Sequence, residues 1–208
     1  MKPYVVAITG PSGVIYGVRL VKALGEIGHP IELVISELAR LVIREELGIA
    51  LKSLTRKEAL EELFAPPVLA KLKLHSPKDF SASIASGSYP IEGMIIVPCS
   101  MGTLGAIASG LSQNLIHRAA DCVIKEGRRL VIVPRETPLS AIHLENMLKL
   151  SRLGVRIVPA MPGFYSGVQN LDEMIDFMTG KILDQLDIVH TLYPRWTGKL
   201  QEPAWDGE

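Results

Sequence analysis

YVVAITGPSGVIYG, residues 4–17, is the stretch on which the fold turns. It starts as an unbroken apolar, β-branched run, passes through Gly10, Pro11 and Gly13, and then opens a segment in which Val14, Val18, Val21 and Leu24 recur at steps of three and four. A short continuous apolar run reads as a strand buried on both faces, and a three-to-four period as a helix packed against it. Strand, small-residue loop and helix together are the first half of a βαβ unit. The alternation repeats with IELVIS from 31, GMIIVP from 93, RLVIVP from 129 and VRIVP from 155, so a parallel sheet flanked by helices is expected. The spacing predicts helices over 14–27, 36–47, 55–64, 115–126, 140–152 and 171–187. Thr55 with Glu58 fits a capping box, Asn170 with Glu173 a looser one, and Ser140 an N-cap after Pro138.

With 208 residues the chain can bury one substantial core, and a single domain over 1–208 is expected, with an extended tail from about 190. The 22 basic and 22 acidic side chains balance, which supplies no general field for nucleic acid or an anionic membrane. Cys99 and Cys122 are the only cysteines and form no CxxC, which argues against a disulfide scaffold or zinc site and for a reducing compartment, the cytoplasm. The N-terminal apolar run is shorter than the roughly 7–15 residues of a signal-peptide core. Residues 93–116 carry no charge, but Pro98, four glycines and many hydroxyl and amide side chains favour a buried strand and a small-residue loop over a membrane span. Residues 64–92, with four prolines, read as a long excursion between strands.

In an open parallel sheet the ligand crevice lies at the carboxyl ends of the strands. Those ends read GPSG (10–13), Ser36-Glu37, CSMGT (99–103), RETP (135–138) and PGFY (162–165). GPSG leads into a helix whose free amides would suit a phosphate, although it is neither a Walker loop nor GxGxxG, and a plain turn explains it equally well. CSMGT is a second candidate cradle. Arg135 and Glu136 end an apolar strand at the crevice, whereas Arg128 and Arg129 read as a solvated basic face. Arg118 and Lys125 share a helix face seven residues apart. DEMID (172–176) resembles an acidic diphosphate motif, but a helix N-terminus accounts for its acids and no second acidic cluster exists. The five histidines lack metal-ligand spacing, and Cys99 reads as a buried small residue.

TGPSGVIYG (9–17), PCSMGTLGAIASGLSQNLIHRAADCVIKE (98–126), RRLVIVPRETPLSAIHLENMLKLSRLG (128–154) and MPGFY (161–165), taken together, resemble the flavin prenyltransferases of the UbiX type over almost the whole chain. The resemblance implies a three-layer doubly wound parallel sheet, flavodoxin-like or Rossmann-like, in a homo-oligomer, typically a dodecamer, that binds FMN without a metal. It implies transfer of a dimethylallyl group from dimethylallyl phosphate, or the diphosphate, to N5 and C6 of reduced FMN, giving the prenylated FMN used by UbiD-type decarboxylases. By matching position it puts Gly10, Pro11, Ser12, Ser36, Ser100, Met101, Gly102, Thr103 and Arg135 on the FMN. Tyr165, Lys181, Arg118, Lys125 and Glu136 fall on the allylic phosphate, and Phe80 and Trp196 line the prenyl pocket. Ser12, Glu46, Glu136 and Lys125 are implied in catalysis. Pro11, Lys181 and Phe80 stand where the family commonly has alanine, arginine and tryptophan.

These residue types suit the chemistry. Cations stabilise a departing phosphate, aromatic faces stabilise allyl-cation character and exclude water, and Glu46, Glu136 or the phosphate itself can take the proton lost at ring closure. Two other readings are weighed. An FMN-dependent cysteine decarboxylase of the same architecture would need a histidine in the first helix region and an Asn-containing PASANT-like loop, and this chain has neither. A non-catalytic FMN carrier would explain the loops but not Lys125, Glu136, Tyr165 and Lys181.

Overall fold

The computed structural model describes residues 1–165, 167–196 and 198. Six strands, β1 (Tyr4–Ile8), β2 (Ile31–Ile35), β3 (Leu72–His75), β4 (Gly93–Cys99), β5 (Leu130–Pro134) and β6 (Arg156–Ile157), form one sheet in the order β3-β2-β1-β4-β5-β6. Every pairing is parallel; Val6 lies opposite both Leu33 and Ile95, and Ile96 opposite Ile132. The helices are α1 (Val14–Ile27), α2 (Glu37–Leu47), α3 (Pro66–Leu69), α4 (Met101–Ala108), α5 (Leu115–Lys125), α6 (Ala141–Arg152) and α7 (Leu171–Asp184).

Strand alternation divides the core between two faces. Val6 and Ile8 of β1 point into the layer of α1, α2, α3 and α7, while Val5 and Ala7 point into the layer of α4, α5 and α6. The expected three-layer, doubly wound parallel sheet is therefore the observed fold. Gly17 brings α1 close to the sheet: a Cβ there would lie 2.4 Å from the Val97 carbonyl oxygen and 3.0 Å from Ile8, so any side chain would push the helix off β4.

Two expectations change. The helix expected over 55–64 is only a 3-10 turn at Lys57–Leu60. The expected Thr55 capping box is absent; instead the Ser53 hydroxyl accepts from the amides of Thr55 and Arg56, so the segment is organised from a residue earlier in the chain. The excursion at 64–92 also contains structure: Pro66 and Pro67 start α3, and LKLH pairs with β2 as β3. As an edge strand with Lys73 exposed, β3 lacks the continuous apolar run of the central strands. The remaining crossover is tied across the second face. Leu115 N–H donates to Pro77 O at 2.8 Å, and Arg128 donates to the carbonyls of Tyr89 and Gly87, each at 2.7 Å. Beneath it, buried Glu32 on β2 is bonded by His75 and by the Tyr89 hydroxyl at 2.7 Å. Burial alone would raise the Glu32 carboxyl, but these bonds outweigh it and hold it below its ordinary value. Residues 93–116 are β4, α4 and the start of α5, and among the described residues no helix is long and apolar enough to cross a membrane.

Candidate active site

In this sheet order the sense of strand addition reverses between β1 and β4: β1 leads outward to β2 and β4 leads outward to β5. A crevice forms at such a switch point because the loops on the two sides turn away from each other. The loops after β1 and β4 flank it, and Thr9 sets their spacing. Its buried hydroxyl donates to Pro98 O at 2.8 Å and accepts from Ser100 N–H at 2.9 Å, joining the two strand ends. Ser100 is the N-cap of α4: its hydroxyl accepts from Thr103 N–H at 3.2 Å and donates to the Thr103 hydroxyl at 3.0 Å. Met101 and Gly102 therefore sit in the first helical turn, where amides have no intrahelical acceptor. Ser36 caps α2 in the same way, accepting from Ala39 N–H at 3.1 Å. Gly10 and Pro11 are partly buried and Ser12 is exposed in the β1 loop.

The start of α1 is not an open phosphate site. Glu46, in the last turn of α2, accepts from Gly13 N–H at 3.0 and 3.1 Å and from Val14 N–H at 3.2 Å. The carboxylate takes up the Gly13 and Val14 amides and faces the positive end of the helix dipole that the sequence offered to a ligand. An anionic ligand in this crevice must therefore use the other donors.

Arg135 is the strongest of them. It leaves β5 beside Cys99, its N–H donating to Cys99 O at 3.3 Å, and its Cγ lies 3.9 Å from where a Cβ on Gly13 would be, so its stem reaches the β1 loop. Its Nε is buried with no hydrogen-bond partner among the described residues. A guanidinium is always charged and donor-only, so this buried N–H calls for an acceptor from a ligand. FMN, with a phosphate, carbonyls and ring nitrogens, fits that donor set. Glu136 next to it is partly buried and accepts from Thr137 N–H at 3.0 Å.

The other expected site residues lie elsewhere in the same chain. Tyr165, on the loop from β6 to α7, packs edge-on against Phe177 at 5.6 Å and against Trp196 at 6.2 Å, and a cavity of about 300 Å³ opens between Tyr165 and Trp196. Lys181 lies one turn after Phe177 on the same face of α7. Ten residues into α7, it is about 15 Å along the axis from the helix start, toward the end where Gln185 and Asp187 meet Arg156 and Arg129 at the amino edge of the sheet. Arg118 and Lys125 are on α5, across the sheet from α7. Arg118 donates to Ala85 O and pairs with Asp121 at 3.0 Å, and Lys125, at the amino-edge end of α5, pairs with Glu126 at 3.0 Å. Phe80 is half exposed in the crossover after β3. One chain thus brings together at the carboxyl edge the residues expected on the flavin side and leaves Lys181 and Lys125 toward the opposite edge of the sheet, in opposite layers. In a cavity of about 490 Å³ at that amino edge, Arg128, Arg129 and Arg156 are already engaged, by the carbonyls of Gly87 and Tyr89, by Asp187 and by Gln185 O respectively.

The weaker motifs have local explanations. Asp172 and Asp176 pair with Arg19 on α1 at 2.7 and 3.3 Å. His143 completes a capping box with Ser140. Cys99 is fully buried and burial pushes its thiol far up, away from nucleophilic use. No group of three or more His, Cys, Asp or Glu among the described residues could hold a metal. Two positions escaped the sequence reading. Thr9 carried a weak signal, a hydroxyl at the end of an apolar strand. Asp184 carried none, because its partners His190, Tyr193 and Arg195 come from the following segment. Burial would raise Asp184, but bonds from Arg195, Tyr193 and His190 bring it down to about 2; Tyr193 is in turn pushed up to about 12 by burial and by the Asp184 bond.

Residues 1–196 match the family model described as Flavoprotein. The chain is 55% identical over 193 residues to the flavin prenyltransferase UbiX of Halalkalibacterium halodurans, covering 93% of this chain and 92% of that one. Among solved structures it is similar to AnUbiX (PadA1) in complex with FMN and dimethylallyl pyrophosphate, with 39% identity, a TM-score of 0.84, and 96% and 99% of the two chains covered. It is also similar to a dodecameric FMN-dependent UbiX-like decarboxylase from Escherichia coli O157:H7, with 42% identity, a TM-score of 0.82, and 94% and 100% covered. Matched by that family model over 1–196 and 55% identical to a flavin prenyltransferase over 93% of its length, the chain belongs to the flavoprotein family and, within it, to the UbiX-type flavin prenyltransferases.

Proposed function

We propose that the protein transfers a dimethylallyl group from dimethylallyl phosphate to N5 and C6 of reduced FMN, without a metal, and hands the prenylated FMN to a UbiD-type decarboxylase. The observation that carries this reading is the coexistence of two separate recognition sets. One is a crevice with an Arg135 Nε that is buried and has no partner among the described residues; the other is an aromatic cavity at Tyr165 and Trp196, with Tyr165 packed on Phe177, one helical turn before Lys181. A flavin carrier needs only the first, and a cysteine decarboxylase of this fold needs a histidine that α1 lacks. The relative solved with both FMN and dimethylallyl pyrophosphate supports a two-ligand site.

The flavin supplies the nucleophilic N5 and C6. Arg135, the Ser36 and Ser100 caps and the loops at Gly10–Ser12 and Met101–Thr103 hold it. Lys181, with Arg118 and Lys125, takes up the charge on the leaving phosphate as the allylic C–O bond breaks. Tyr165, Trp196 and Phe80 face the electron-poor allyl fragment and exclude water. The reaction adds C5H8 to the flavin and releases hydrogen phosphate, so one net proton passes from flavin to phosphate. Glu46, bonded to the amides at the start of α1, and Glu136 are the carboxylates at the crevice available to relay it.

With α5 and α7 on opposite faces of the sheet and Lys125 and Lys181 toward its amino edge, neighbouring copies would supply these cations to a crevice. An oligomer is supported by α6, where only Leu150 is fully buried and Ile142, Leu144 and Leu148 are 68%, 52% and 51% exposed. A second copy covering that face would bury what a monomer leaves in water. A Leu144→Asp, Leu148→Asp double variant is expected to run as smaller species by size-exclusion chromatography with light scattering; an unchanged assembly would place the contact elsewhere.

The function itself is tested by incubating the protein anaerobically with reduced FMN and dimethylallyl phosphate, with and without EDTA, and weighing the flavin. A gain of one C5H8 unit in both arms is expected. Unmodified flavin with both the phosphate and the diphosphate donor would overturn the reading, and loss of product only with EDTA would overturn its metal independence.

A further inference from the structure

Phe177, Gly180, Lys181 and Asp184 follow one another along one side of α7, and residues 190–196 lie against that side. Contact is closest at Gly180, where a Cβ would lie 2.6 Å from both His190 and Tyr193 ring atoms, so only glycine admits the segment. Asp184 fastens it. One carboxylate oxygen accepts from the Tyr193 hydroxyl at 2.5 Å and from Arg195 Nη1 at 2.8 Å; the other takes Arg195 Nη2 at 2.6 Å and His190 Nε2 at 3.1 Å. Arg195 also lies 4.9 Å over the Tyr193 ring. From this anchor the aromatic rings continue as Tyr193 on Phe177 (4.9 Å), Phe177 on Tyr165 and Tyr165 on Trp196. Trp196 directly follows the clamped Arg195, so its place beside Tyr165 depends on the clamp.

The charge arrangement points the same way. Lys181 Nζ is 4.0 Å from the Asp184 carboxylate, at the outer limit of an ion pair, whereas Arg195 sits within 2.6–2.8 Å. The carboxylate is largely occupied by Arg195 and Tyr193, which leaves the Lys181 ammonium available to an incoming anion.

We propose that Asp184 is a positioning residue for the allylic-phosphate half-site: it clamps residues 190–196 across Gly180, sets Trp196 against Tyr165, and leaves Lys181, one turn after Phe177, only loosely paired at 4.0 Å. This rests on the reading of Tyr165 and Lys181 as that half-site. Asp184 touches neither donor nor flavin; its effect passes through Tyr193, Arg195 and Trp196.

Asp184→Asn keeps the shape of the hub and removes its charge, and Arg195→Ala releases the strap while leaving Asp184 beside Lys181. Both are expected to raise the KM for dimethylallyl phosphate about tenfold, with kcat changed less than about threefold and FMN affinity unchanged. Trypsin is expected to cut after Arg195 faster in Asp184→Asn than in wild type. A donor KM within about twofold of wild type in both variants would overturn the clamp, and an equal loss of FMN affinity would show a general structural role instead. Lys181→Ala separates the two levels. If it still turns over normally, the half-site reading fails; if it is inactive while both clamp variants bind donor normally, only the clamp fails.

Discussion

Lys181→Ala is expected to lower kcat/KM for dimethylallyl phosphate by about 100-fold or more while FMN binds as before, because truncating one partner of a charged contact costs about 2–5 kcal/mol. The Lys181 side chain is 40% exposed and makes only a 4.0 Å pair with Asp184, so the fold depends little on it. Its loss should appear in the phosphate-releasing step and not in thermal stability. Lys181→Arg, which keeps the charge and adds a bidentate fork, should retain most activity. Stopped-flow absorbance of the flavin with single-turnover donor addition reads the rate, and fluorescence titration reads FMN. If Lys181→Ala instead lost FMN, Lys181 would belong to the flavin side.

The second large effect is on the cofactor. Arg135→Ala is expected to weaken FMN binding by about 100-fold, since a hydrogen bond from a charged donor is worth about 1.5–3 kcal/mol and the Nε that would make it is buried. The sign of the stability change separates this from a packing defect. Without ligand, a buried guanidinium Nε with no partner among the described residues is a cost to the fold, so the apo variant should melt no lower than apo wild type. What should disappear is the rise in Tm that FMN gives wild type through linkage. An apo variant melting several degrees lower, with normal FMN affinity, would assign Arg135 to the core.

The two layers of the site were unequally legible in the sequence, for physical reasons. Residues that end a strand announce themselves, because the apolar run stops and the next residues must occupy the carboxyl edge; Ser36, Ser100 and Arg135 were readable in this way. The central strands were legible because burial on both faces leaves unbroken runs such as YVVAI and GMIIVPC. β3 was not, because an edge strand with an exposed lysine lacks that pattern. Glu46 could be named by resemblance, but nothing local says that its carboxylate would occupy the start of α1 from the far end of α2. The positions of Lys125 and Lys181 relative to the crevice were also illegible, since helix direction and layer follow from topology and not from spacing. Trp196 is described, while the tail from 199 onward lies outside the described residues.

If each site joins the crevice of one copy to the phosphate-side cations of others, two different defects should complement each other in a mixed oligomer. Lys181→Ala keeps an intact crevice and lacks the phosphate cation; Arg135→Ala keeps the cation and lacks FMN. With the two variants carrying different tags, co-expressed and purified through both tags so that every particle is mixed, prenylation of reduced FMN is measured by mass against each variant alone. The account predicts that the separate variants are inactive and the mixed oligomer recovers activity, because some crevices that hold FMN then face a neighbour's Lys181. A verified mixed oligomer that stays as inactive as its components would contradict it.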